Sequence, residues 1–221
     1  METSFKKTRT ISRLFPHLKN RNDASKLKID DDSLHYISIR EFADKISDII
    51  KRQLETIKLN DTDAIITDAT AGVGGDTLSF SKKFKFVNSI EIDKTRADYL
   101  ENNLNIYECK NVKVYNGDCT KILETIENQD VIFIDPPWEP DGISYRKYTN
   151  LQLKIGNESI ESFCNKLMDE TKMKKIPKLI VFKLPNNYDI AYFHKNVPNR
   201  NIYYYNLNKM IILVVQTNLI S

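Results

Sequence analysis

Three observations predict a doubly wound α/β fold with a mostly parallel sheet. Four short apolar runs each lead to an aspartate. They are Ala64-Ile65-Ile66-Thr67-Asp68-Ala69, Phe86 to Glu91 followed by Ile92-Asp93, Val112 to Asn116 followed by Gly117-Asp118, and Val131-Ile132-Phe133-Ile134-Asp135. The first run enters Thr70-Ala71-Gly72-Val73-Gly74-Gly75-Asp76-Thr77 and then the helix-like stretch Leu78–Lys83. Strand, glycine loop and helix in that order form the nucleotide-side turn of such sheets. The chain closes on two further runs, Asn201–Tyr205 and Met210–Gln216, joined by Asn206-Leu207-Asn208-Lys209. That pair reads as a hairpin, so one strand runs against the others.

The remaining elements follow in chain order. Through Lys28 the chain carries Lys6, Lys7, Arg9, Arg13, Lys19, Arg21, Lys26 and Lys28 against only Glu2 and Asp23, a basic arm suited to phosphate. The interleaved Phe5, Leu14, Phe15, Pro16 and Leu18 predict that the middle of this arm docks on the domain. Ser38-Ile39-Arg40-Glu41 matches a capping box, and Ile39, Phe42, Ala43, Ile46, Ile49, Ile50, Leu54 and Ile57 recur at helical spacing. Beyond the fourth strand come a loop from Glu139 to Gly156, a helix near Glu158–Asp169, a strand at Lys178–Leu184 and a short helix at Asn187–His194. The expected partition is therefore a basic, helical, substrate-side extension over residues 1–58 and an α/β domain over residues 59–221.

Composition excludes several classes. With 29% charged and 41% hydrophobic residues the chain reads as a soluble globular protein, and 221 residues suffice for one α/β core. No apolar run approaches the roughly 18 residues of a membrane span, so no membrane partner is expected. The amino terminus lacks an apolar signal core, which points to an intracellular protein of the nucleus or cytoplasm. Cys109, Cys119 and Cys164, like His17, His35 and His194, are scattered without ligand spacing, so no metal is expected. Nothing marks an extra exposed apolar surface, and the default expectation is a monomer.

The glycine loop narrows the ligand. Gly72-Val73-Gly74-Gly75 is too tight for the dinucleotide fingerprint and lacks the Lys-Ser/Thr ending of a phosphate loop. A loop that grips no phosphate suits S-adenosylmethionine, whose amino-acid end needs backbone amides and a carboxylate such as Asp68. Ala69, Thr70, Gly72, Gly74 and Thr77 complete the expected contacts of this loop. An acid at the second strand tip suits the ribose hydroxyls, a role given to Asp93 with Glu91 as the neighbouring alternative. Asp118 at the third tip is the acceptor for the adenine amino group. Carboxyl ends of strands are where open α/β sheets bind ligands, and Asp135 joins the cofactor set as the fourth such tip.

Asp135-Pro136-Pro137-Trp138 carries the acceptor chemistry. Proline removes backbone donors and fixes φ, leaving carbonyls free to accept from a substrate amine. Asp135 and the carbonyl beside Pro136 are acceptors for an exocyclic amino group, and Trp138 is a platform for a planar base. Asp135, Pro136 and Trp138 are the catalytic candidates. A neighbouring Pro137 and the cation Arg40 are assigned to substrate.

Taken together, Asp68 through Thr77, Pro136-Pro137-Trp138, Leu184-Pro185-Asn186 and Asn206-Leu207-Asn208-Lys209 resemble the trimethylguanosine synthase family of RNA cap guanine-N2 methyltransferases, over about Leu14 to Gln216. The resemblance implies a class I, Rossmann-like methyltransferase that moves a methyl from S-adenosylmethionine to N2 of a 7-methylguanosine cap, giving di- or trimethylguanosine. It implies capped RNA as partner, and no DNA. It places Trp138 against the methylated guanine, and Asn103, with Asn102 adjacent, near the other face. The chain departs from the family pattern with Asp135 where serine is usual, and with Glu139-Pro140 where glycines commonly follow the tryptophan. Asp135 suits an alternative acceptor, adenine N6 or an internal guanine N2. A cap-binding module without transfer is the third reading.

Overall fold

The computed structural model describes residue 11, residues 13–139 and residues 142–219. The part of the basic arm before Ile11 (Lys6, Lys7, Arg9 and Phe5) and Pro140 lie outside the described residues. The chain forms two compact units, one running to Asp118 and the other beginning at Cys119.

In the first unit a 3-10 turn, Arg21–Lys26, and a short helix α1, Ser33–Tyr36, lead to the long helix α2, Arg40–Thr56. Strand β1, Ile65–Asp68, is followed by helix α3, Thr77–Lys83, strand β2, Phe86–Glu91, helix α4, Lys94–Ile106, and strand β3, Val112–Asn116. The strands are parallel, with Ile65 opposite Phe86 and Val87 opposite Val112. Helix α2 buries Ala43, Ile46, Ile49, Ile50 and Leu54 on one side, as its spacing predicts. Its start differs from the expected capping box. Ile39 is the N-cap and no side chain caps the helix, because the Ser38 hydroxyl donates instead to Asp76 Oδ2 at 2.6 Å. The arm docks as read: Ile11, Leu14, Phe15 and Leu27 share a core with Ala71, Val73, Leu78, Leu100 and Leu104. Extension and glycine loop therefore form one packed body, since they bury the same apolar surface.

The second unit starts with helix α5, Cys119–Thr125, and strand β4, Val131–Ile134. A 3-10 turn at Tyr145–Lys147 precedes a two-residue hairpin, β5 (Lys154–Ile155) with β6 (Glu158–Ser159), which the sequence reading assigned to loop and helix. Helix α6, Ile160–Lys166, strand β7, Leu179–Pro185, helix α7, Ile190–Asn196, and strands β8, Arg200–Asn206, and β9, Met210–Leu219, complete the unit. Strand β7 is parallel to β4, and β9 is antiparallel to both β7 and β8. All residues of β4 and β7 are buried, the pattern of central strands covered on both faces. The seven-stranded sheet has the order β3-β2-β1-β4-β7-β9-β8, mostly parallel with β9 reversed, as predicted. No helix among the described residues is long and apolar enough to cross a membrane.

Candidate active site

The glycine loop of the first unit is built around two carboxylates. Asp68, buried at the tip of β1, accepts from the Thr77 hydroxyl at 2.6 Å through Oδ2, and its Oδ1 lies 3.4 Å from the Thr70 amide. Thr77 is itself fully buried and reaches Ser89 Oγ at 3.1 Å, so its hydroxyl aims the Asp68 carboxylate. Ala69 is also buried. The second carboxylate is Glu91, whose Oε2 accepts from the Gly72 amide and Oε1 from the Asp93 amide, each at 2.8 Å. The acid clamped against the loop is thus the alternative named beside Asp93. Asp93 is exposed and caps α4, accepting from the Arg96 amide at 2.9 Å. Between the two acids Ile92 stands 71% exposed, an apolar face suited to a purine that the sequence reading did not single out.

Three glycines serve different ends. Gly72 has φ +53° and open space where a Cβ would stand, leaving room for a ligand. At Gly74, φ +103°, a Cβ would meet Leu100 Cδ1 at 2.8 Å. A Cβ on Gly75 would lie 2.6 Å from Ile37 Cγ1 and 3.2 Å from the Ser38 carbonyl oxygen, so the extension crosses directly over the loop. The neighbouring Tyr36 is 63% exposed. Gly117 N–H and Asn116 Nδ2 both donate to the Glu91 carbonyl at 2.9 Å, tying the β3 tip to the β2 tip just before the half-buried Asp118.

Asn103, which the resemblance places near the substrate, is bonded to backbone groups of the extension and the glycine loop. It is fully buried, accepts from Lys28 N–H at 2.8 Å, and donates to the carbonyls of Lys28 at 2.8 Å and Val73 at 3.0 Å. Its amide braces the extension to the glycine loop. Asn102 likewise donates to the Lys26 carbonyl. Arg40 opens α2, and its charge acts on Tyr107, whose hydroxyl donates to the Pro16 carbonyl at 2.6 Å.

In the second unit the end of β4 forms a compact polar group. Lys183, in the middle of β7 and 3% exposed, donates to Asp135 Oδ2 at 2.5 Å. Trp138 donates from Nε1 to the Lys183 carbonyl at 3.2 Å, and the Lys183 ammonium lies 5.7 Å from the indole centroid. Tyr145 meets Trp138 edge to face, with centroids 5.3 Å apart. Asn187 Nδ2 holds this loop by donating to the carbonyls of Tyr145 and Tyr148, both at 2.8 Å. Burial pushes the Asp135 carboxyl above its ordinary range, while the Lys183 ammonium and the Trp138 indole draw it back. Pro136 is buried and Pro137 exposed. The signal for this residue in the sequence is a lone lysine in a seven-residue apolar strand, because such a lysine is buried only when paired.

These features agree with known proteins. A model of the RNA cap guanine-N2 methyltransferase family matches residues 63–218. The chain belongs to that family. It is 37% identical over 210 residues to the uncharacterized protein L320 of Acanthamoeba polyphaga mimivirus, an alignment spanning 87% of this chain and 80% of the relative. Among solved structures it resembles precorrin-6y C5,15-methyltransferase of Geobacter metallireducens, with TM-score 0.58, 14% identity, and coverage of 91% and 98% of the two chains. It also resembles the putative methyltransferase yhhF of Escherichia coli, with TM-score 0.54, 19% identity, and coverage of 78% and 84%. At those identities the likeness concerns the fold alone. As a family member the protein is an S-adenosylmethionine-dependent methyltransferase. The clamped Glu91 carboxylate, the exposed Ile92 and the open space at Gly72 are a donor set and shape that fit that methyl donor. No cluster of His, Cys, Asp or Glu among the described residues is arranged to hold a metal ion.

Proposed function

We propose that this protein methylates the exocyclic N2 of a 7-methylguanosine cap on RNA, with S-adenosylmethionine as donor. The observation that carries this reading is the group at the end of β4, where Trp138 is pinned to the Lys183 carbonyl beside the Asp135 carboxylate, in a chain of the cap guanine-N2 family. S-adenosylmethionine supplies an electrophilic methyl on a sulfonium. The chain's own task is to align the acceptor nitrogen, whose lone pair is otherwise delocalised into the ring. Asp135 and the carbonyl beside Pro136 accept from its protons, and positioning of this kind lowers barriers without metal or covalent nucleophile. Trp138 stacks on the base. Since 7-methylguanine is cationic, the ring adds cation–π attraction on the order of 1–2 kcal/mol when desolvated.

The adenine-N6 or internal guanine-N2 alternative keeps one specific support, the carboxylate of Asp135 directly before the two prolines. Calorimetry with 7-methylated and unmethylated cap dinucleotides separates the readings. Wild type is expected to prefer the methylated cap by roughly 5–30-fold, the equivalent of that cation–π energy. Trp138→Ala should level the preference and leave S-adenosylmethionine affinity in place. Equal loss of both affinities would refute the stacking role.

A further inference from the structure

The Asp135–Lys183 pair is energetically odd for a scaffold. Strand β7 is buried along its whole length, and Lys183 lies between the fully buried Phe182 and Leu184. Other lysines in ion pairs of the described residues keep at least a fifth of their side chains exposed, whereas the Lys183 side chain keeps 4%. Taking an ammonium out of water is costly, and an apolar side chain of similar volume often serves stability as well or better. Packing alone gives no reason for an ammonium here.

We propose that Lys183 is a positioning residue for methyl transfer, holding the Asp135 carboxylate as an ionised acceptor facing the substrate amine and fixing Trp138 beside it. One side chain and its own carbonyl accomplish both: Nζ donates to Asp135 Oδ2, and the Lys183 carbonyl accepts from Trp138 Nε1. In the transfer the nitrogen lone pair forms the new N–C bond as the C–S bond breaks. The electrons of that bond pass to sulfur, giving a neutral thioether. The excess proton on nitrogen moves to Asp135 and from there to water. Without the ammonium, desolvation that raises this carboxyl goes unopposed, and a protonated Asp135 would turn its O–H toward the lone pair it should leave free.

Lys183 is the ionisable group bonded to Asp135, and others lie on the loop that packs against Trp138. Lys183 comes from β7; Glu139, Tyr145 and Arg146 come from the loop beyond Trp138. Those three act on one another, since Arg146 Nε lies 3.4 Å from the Tyr145 hydroxyl and Glu139 bears on the Arg146 charge. Lys183 is therefore the cation that opposes burial at Asp135.

The inference rests on the reading that Asp135 meets the acceptor amine, so the test uses one readout that needs no acceptor. Trp138 is the only tryptophan in the chain, and its emission on acidification reports the adjoining pair. In Lys183→Met the transition should move up by about 1–3 pH units, the usual effect of losing an opposite charge at this range. Lys183→Arg should keep it near the wild-type position, and Asp135→Asn should abolish it. The acid limb of kcat/KM with a 7-methylated cap dinucleotide should move with the fluorescence transition in Lys183→Met. An unmoved transition, or a loss of activity equal at every pH, would overturn the proposal. A moved transition in an enzyme whose wild type leaves capped acceptors unmethylated would uphold the pairing and reject the cap assignment.

Discussion

Replacing Asn103 by alanine separates a structural brace from a substrate contact. The side chain is fully buried and makes three bonds to backbone groups: Lys28 N–H, the Lys28 carbonyl and the Val73 carbonyl. A typical intramolecular hydrogen bond contributes about 1 kcal/mol net, so the three together come to about 3 kcal/mol. The backbone of exposed Lys28 is placed to recover water, but the Val73 carbonyl is bonded in a buried setting and is left without its donor. Leaving such a group unsatisfied costs about 1–3 kcal/mol, and with about 1 kcal/mol for each of the two Lys28 bonds the expected loss is about 3–5 kcal/mol. Urea unfolding followed by circular dichroism measures it. Because Val73 belongs to the glycine loop, S-adenosylmethionine affinity should fall as well, while cap discrimination in the remaining folded enzyme stays. A loss under about 1 kcal/mol, accompanied by a selective rise in KM for the cap, would refute the brace and restore the substrate contact.

Two further substitutions address the loop itself. Gly75→Ala puts a methyl 2.6 Å from Ile37 Cγ1, so the extension must shift; a destabilisation of about 1–3 kcal/mol and weaker S-adenosylmethionine binding are expected by thermal unfolding and calorimetry. Glu91→Gln removes one of the two acceptors that hold Gly72 and Asp93, and should weaken S-adenosylmethionine binding tenfold or more, at about 1.5–3 kcal/mol for a charged hydrogen bond. Asp93→Ala should mainly cost the helix cap, about 0.5–2 kcal/mol of stability. The reverse ranking of the two affinities would make Asp93 the ribose ligand.

What was legible from the sequence depended on whether a residue's partner lay nearby in the chain. Strands β2, β3 and β4 match their apolar runs residue for residue, because each run is bounded by its own turn chemistry. The β5–β6 hairpin has two residues per strand, too few for any period to register. Helix α7 starts at Ile190 instead of Asn187, since the Asn187 carbonyl accepts from Leu151 N–H and Tyr188 bridges to Leu151. Ser38 matched a local capping pattern, but its hydroxyl found a partner 38 residues away. Site residues divide in the same way. Asp68, the glycine loop and Trp138 announce themselves by motif, whereas the bonds of Asn103 to Lys28 and Val73 join segments 75 and 30 residues apart. Lys183 became visible only once β4 and β9 were known to flank its strand.

The most direct test of the account is methyl transfer from labelled S-adenosylmethionine to four acceptors: 7-methylguanosine cap dinucleotide, unmethylated cap dinucleotide, uncapped RNA and DNA. The account predicts label only in the N7-methylated cap, on guanine N2, with mass analysis giving the number of methyls added. Label in uncapped RNA or DNA, with the methylated cap left untouched, would contradict it.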